Sequence, residues 1–174
     1  MNYPDLPPLP PDVGDLRVPD FVGEVTGWRA WKRVGTIMVP RLMSVTATQF
    51  SVEHVDAIWP TNRWFVASCP HGHSSGDVPV EGCKCGIYAA RDRDQLIALG
   101  YGAYKREQHR VIGEVAFAGK VIPGSQGFKA QRARIKRLFV PYEDWRWAEP
   151  LAAAYNVPVE VAFLFNPHER THRR

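Results

Sequence analysis

The sequence predicts an α+β domain that is mainly β: a small antiparallel sheet or partly open barrel, carrying a zinc-pinned loop and two short helices. Three observations point there. From Gly23 onward the apolar residues are chiefly β-branched and aromatic and are broken into short runs by turn residues, the pattern of strands. Helix signals are confined to two brief stretches, after Asp92 and around Pro150. All three cysteines fall within residues 69 to 85, together with two of the six histidines, which is a metal-ligand grouping in a chain so poor in cysteine.

Residues 1 to 22 form a proline-rich arm. Pro4, Pro7, Pro8, Pro10, Pro11 and Pro19 remove backbone donors and fix φ, so neither a helix nor an interior strand survives there. The globular domain then spans 23 to 166. Glu24 to Lys32 is a strand with aromatics on both faces, since Trp28 and Trp31 fall on opposite sides of a two-residue repeat. Thr36 to Pro40 and Arg41 to Val45 follow as short strands. Trp59 and Trp64 flank a turn, Pro60 to Arg63, and Trp64 to Ser68 leads as a strand into Cys69; tryptophans so close together are expected to pack a core rather than stack bases.

Gly86 to Ala90 is a short apolar element. Asp92 then caps a helix running to Leu99, with Asp94 in its first turn and Gly100 as its stop. Strand chemistry returns over 109 to 122, and Pro123-Gly124-Ser125-Gln126-Gly127 turns the chain into a second arm, Phe128 to Val140. After an acidic, aromatic turn at Tyr142 to Trp147, Pro150 is placed at the first helical position, Leu151 to Tyr155 forms the helix and Asn156 its C-cap. Val159 to Phe165 is a final strand. Residues 167 to 174 are a basic tail.

At 174 residues and 45% hydrophobic, the chain can bury one sizeable core. It has no apolar run near the roughly 20 residues that cross a bilayer, so a soluble, cytoplasmic protein without a membrane partner is expected. A net charge of +4 and an isoelectric point near 9.1 are compatible with a nucleic-acid partner without requiring one.

Two arms supply the metal ligands. Cys69 with a histidine lies on one, and Cys83-Lys84-Cys85 between Gly82 and Gly86 on the other. Residues 70 to 82 between them have the composition of a flexible loop. Either His71, as a tight chelate, or His73, through a more relaxed turn, completes the set, and His73 is preferred. The expected site is therefore Cys69, His73, Cys83 and Cys85 around structural Zn2+. Free thiols are the bland alternative; a disulfide fits worse, because three cysteines leave one over and Cys83-x-Cys85 is too short for a relaxed bridge. Catalytic zinc would need a position open to water with Asp77, Glu81 or Glu114 beside it, and Cys69 could serve as a nucleophile next to a histidine. Neither the HExxH pattern nor the deaminase pair of motifs is present.

A second candidate site is the basic run Lys129, Arg132, Arg134, Lys136 and Arg137. On a strand, Arg132, Arg134 and Lys136 share a face at about 7 Å intervals, close to the phosphate repeat of one nucleic-acid strand. The competing explanation is an edge strand guarded by charge.

Several segments resemble a group of small proteins of actinobacteria and their phages. They are Gly27 to Trp31, Cys83-Lys84-Cys85-Gly86-Ile87-Tyr88-Ala89-Ala90, Val111 to Ala116 with Gly119 to Ile122, and Leu151 to Glu160. The group shows a cysteine, a histidine, a C-x-C-G-I-Y segment and a V-x-G-x-V-x-x-x-G-x-V strand. The resemblance covers most of residues 24 to 160; it implies Cys69, Cys83 and Cys85 as ligands, favours His73, and departs at Ser74-Ser75-Gly76, where this loop is longer. It transfers no activity. The expected function is thus a non-enzymatic, zinc-stabilised binding or accessory protein, phage-encoded on the resemblance, whose partner is a nucleic acid or a host protein. A zinc- or thiol-dependent enzyme and a structural or assembly protein are the alternatives.

Overall fold

Gly124 and Gly127 stand opposite each other at the turn where the chain doubles back, pairing β5 (Arg110–Gly124) with β6 (Gly127–Pro141) from there to Ile112 opposite Phe139. In the computed structural model, which describes residues 24–45, 58–101 and 110–162, this hairpin organises the sheet. Register shifts after Glu114 and after Ala118 bend it, as extra residues in one strand of a ladder do.

β1 (Thr26–Gly35) adds to the free edge of β5, antiparallel from Thr26 opposite Ala116 to Lys32 opposite Arg110, and β2 (Pro40–Ser44) adds to β1. The other edge of β6 takes three partners in succession. β4 (Ile87–Ala90) pairs at Gly127 to Ala130, β3 (Phe65–Val66) at Arg132 and Ala133, and β7 (Val159–Ala162) runs parallel to Leu138 to Pro141. A single residue pair, Trp28 opposite Ala90, joins β4 back to β1. The sheet is therefore coiled but not closed into a barrel, and it is antiparallel except for β7.

Both faces of the sheet are covered, which is why the sequence alternates imperfectly. Neighbouring residues go to different clusters: Trp31, Val111 and Leu138 pack with Leu42, Val115 and Leu151, whereas Ala30, Ile112 and Phe139 pack with Ala90 and Leu96. Trp59 is 2% exposed, stacked on Phe65 and edge-on to Trp31, so these rings are core, as expected of them.

The helices are α1 (Arg93–Ala98), whose N-cap Asp92 accepts from the Gln95 amide at 2.8 Å, and α2 (Ala148–Tyr155), ended by Asn156 in the left-handed region. Three expectations shift. Thr36 to Val39 is not a strand but the β1–β2 turn, closed by reciprocal backbone bonds between Thr36 and Val39 and by the Thr36 hydroxyl. The strand foreseen at Trp64 to Ser68 pairs over two residues only. Pro150 sits in the third position of α2, where its missing N–H still costs nothing; the helix begins earlier because the 3₁₀ segment Tyr142–Trp147 runs straight into it. That segment is held to β1 by an ion pair between Arg33 and Asp144 at 3.0 Å, both side chains largely buried. The predicted arm, the basic tail and the end of the last strand lie outside the described residues.

α2 is tied to the sheet through one hydroxyl. Tyr155, 3% exposed, accepts the Leu42 amide of β2 at 2.7 Å and donates to the Trp59 carbonyl at 3.3 Å. Replacing it with phenylalanine leaves that amide buried without an acceptor. Tyr155→Phe is expected to lower unfolding free energy by about 1–3 kcal/mol, measured from the urea midpoint at unchanged m-value; an unshifted midpoint would show that the bond is not formed.

Candidate metal centre

Each arm of the cluster is a tight turn that turns its sulfur inward. In the first, the Gly72 amide donates to the Cys69 carbonyl at 3.2 Å and the His71 amide to the Cys69 Sγ at 3.4 Å. In the second, the Cys83 amide donates to the Val80 carbonyl at 3.2 Å and the Val80 amide to the Cys85 Sγ at 3.4 Å. Gly82 and Gly86 have φ of +77° and +115°, values that side chains other than glycine adopt with strain. A Cβ on Gly86 would also come within 2.6 Å of Lys129.

The turns bring Cys69, His73, Cys83 and Cys85 together, with one ligand atom from each lying within 4.8 Å of all the others. His71 contributes its backbone instead. A four-coordinate ion with metal–sulfur bonds of about 2.3 Å and metal–nitrogen bonds of about 2.0 Å has S···S edges of about 3.8 Å and S···N edges of about 3.5 Å. The Cys69–Cys83 sulfurs are 3.8 Å apart, and the His73 Nδ1 lies 3.1 Å from Cys69 and 4.0 Å from Cys85. Three sulfurs and one imidazole nitrogen at these separations can hold a metal ion and are compatible with zinc.

Electrostatics favour a cation there. Burial raises the Cys69 thiol, but hydrogen bonds from His73, His71 and Cys83 outweigh it and bring it down to about 6. Cys83 moves the other way: a backbone hydrogen bond from Cys85 lowers it, yet burial and the adjoining Cys85 and Cys69 sulfurs raise it above the usual thiol value. One thiolate thus resists the next, and a divalent ion removes that conflict by charge neutralisation.

The loop between the arms is anchored, contrary to its flexible composition. Val78 and Pro79 are fully buried and plug the core, and the Ser74 hydroxyl donates to Asp77 at 2.7 Å. Two β6 side chains hold its carbonyls: Lys129 Nζ donates to Val80 at 2.8 Å and Cys83 at 3.0 Å, and Gln131 Nε2 to Ser75 at 2.7 Å and Gly76 at 3.2 Å. Sequence reasoning missed this pairing of strand and loop. Its one sequence signal is that residues 129 and 131 are alternate positions on the strand that follows the cysteines.

Of the five basic residues, Arg132, Arg134 and Lys136 are exposed at alternate positions of β6, with Ala133 and Ile135 buried between them, so these three share a face. Lys129 serves the loop. Arg134 and Lys136 both grip Glu24, at 2.9 and 2.7 Å, and their hydrogen bonds, that of Lys136 first, hold its carboxyl below the usual range. Arg137 pairs with Glu114 at 2.8 Å, whereas Arg132 is exposed and has no ion pair among the described residues. Glu114 and Asp77, foreseen as partners of catalytic zinc, are thus engaged with Arg137 and Ser74.

No family model, no curated protein and no solved structure matches the chain. What defines the class of protein is therefore the fold and site: a coiled, mainly antiparallel sheet bearing a Cys3His cluster. Among the described residues no helix is long and apolar enough to cross a membrane.

Lys129 acts as an outer partner of the ligand set, and removing such partners typically weakens metal binding by about 10–100-fold. Lys129→Met is expected to lower zinc affinity by about tenfold or more in competition with a chromophoric chelator. Unchanged affinity would show that the two carbonyl bonds do not orient the second arm.

Proposed function

We propose that the chain is a non-enzymatic binding module whose Cys3His cluster holds a structural zinc ion. The observation that carries the proposal is the complete four-ligand set: three thiolates and one imidazole leave no coordination position for water or substrate, the pattern of structural rather than catalytic zinc. Its placement agrees with that role, since the ion would join the two arms of a loop whose middle is already buried in the core. Metal binding of this kind contributes directly to folding free energy. A phage-encoded accessory role is the part of this reading that rests on the resemblance to actinobacterial and phage proteins alone, which carries no activity with it.

The partner we favour is a nucleic acid, with a host protein as the alternative. The positive balance of the chain and the exposed Arg132 support it, although Arg134, Lys136 and Arg137 spend part of their charge on Glu24 and Glu114.

Elemental analysis is expected to find one zinc per chain, lost in Cys83→Ser, and chelation to lower the unfolding temperature sharply. Full stability after the metal is stripped would refute a structural ion. Gel-shift titration is expected to show binding to DNA or RNA that weakens steeply between low and physiological salt. Failure with both nucleic acids leaves the host protein as the partner.

A further inference from the structure

A groove of about 910 Å3 opens beside the metal loop, and none of the four ligand residues lines it. It lies between the end of α1 with Tyr101, the ring of Tyr88, the tip of the β5–β6 hairpin and the second metal arm with Lys84. Among the described residues three cations, Arg29, Lys84 and Lys129, line it and no carboxylate does. The ammonium of Lys129 is spent on loop carbonyls. Arg29 is different.

Its guanidinium donates to neutral acceptors only, the Tyr88 carbonyl and, at 3.0 Å, the Ser44 hydroxyl, and its Nε is buried with no hydrogen-bond partner. No carboxylate pairs with it among the described residues. Burial lowers it to about 10, so at neutral pH it keeps its charge. Arg29 is half-buried, its described hydrogen-bond partners are neutral, and the Trp59 ring lies 5.4 Å from its guanidinium, so an anion entering the groove would supply the opposite charge it lacks there. Lys84, exposed between two ligating cysteines, adds a second cation.

The other walls suit a flat ring. Tyr88 is 48% exposed, and Tyr101 and Phe128 also line the groove. Positive charge interleaved with aromatic faces is how proteins hold phosphate and base together.

We propose that this groove binds a nucleotide unit, its phosphate toward Arg29 and Lys84 and its base against Tyr88 or Tyr101, either as a free nucleotide or within a single strand. The strand-bound form rests on the nucleic-acid reading above; the free form does not.

The test uses the full zinc-loaded chain at about 50 mM salt, where phosphate contacts are strongest. Thymidine monophosphate and inorganic phosphate are titrated by calorimetry, and fluorescent oligothymidylate by anisotropy. The wild type is compared with Lys84→Ala, Tyr88→Ala and, outside the groove, Arg132→Ala. Zinc content and unfolding temperature, read on every variant, separate a folding defect from a lost contact. Arg29→Met is expected to weaken nucleotide and phosphate together, and its unfolding temperature is read because the half-buried side chain also braces β2 and β4. Expected is binding of both nucleotide and strand, each weakened about tenfold by Tyr88→Ala and by Lys84→Ala at unchanged zinc content, with nucleotide affinity untouched by Arg132→Ala.

Nucleotide binding without strand binding would keep the groove as a free-nucleotide site and sink the nucleic-acid partner. Strand binding indifferent to Lys84→Ala and Tyr88→Ala, with no nucleotide bound, would overturn the groove and spare that partner. Phosphate binding as tightly as the nucleotide would overturn the base contact. No binding of any probe would overturn both.

Discussion

The backbone of β6 is the constraint on which the rest of the structure depends. Fifteen residues long, it presents donors and acceptors along two edges, and buried groups of this kind must be paired. One edge is satisfied by β5. The other is satisfied piecemeal by β4, β3 and β7, short elements that have too few residues to be stable alone. Alanines at 130 and 133, both fully buried, let those pieces approach closely. The same strand positions the metal loop through Lys129 and Gln131, so the sheet and the Cys3His cluster share one support.

That arrangement explains how an irregular stretch can present four ligands in register. Residues 70 to 82 contain no regular element, and ordering them carries an entropic cost that local turns do not offset. Three separate restraints act on them: the buried Val78–Pro79 plug, the β6 side chains on their carbonyls, and the sulfurs drawn together at the ends. The sulfurs alone would repel one another once ionised. A metal ion held there would turn the least favourable of the three into the most favourable.

Legibility in the sequence followed the range of the interaction. The cysteine arms, the Asp92 cap, the Asn156 C-cap and the hairpin at Pro123 to Gly127 are each specified within a few residues, and each stands where the pattern placed it. Thr36 to Val39 misled because its β-branched residues fit a strand, while the reversal is set by Gly35 before them and Pro40 after. The anchoring of the loop was invisible because its partners lie roughly fifty residues away: Lys129 to Val80, Gln131 to Gly76. The ion pairing of the basic run was invisible for the same reason, since a charge count cannot reveal that Glu24 and Glu114 come to meet it. The half-buried Arg29, which no carboxylate pairs among the described residues, left no local trace in a strand that also carries Arg33 and two tryptophans.

The position of β6 along the chain also has a bearing on synthesis. Translation delivers the cysteine arms, β3 and β4 well before residues 127 to 141, and nascent domains complete long-range pairing only when the later segment has emerged. For that interval the thiols face the ribosome's surroundings without the strand that orders them. Metal captured then would be held by the ligands alone, and oxidants or other metals would compete for the same sulfurs. Emergence of β6, with Lys129 and Gln131, would close that window by locking the loop around any ion it had captured.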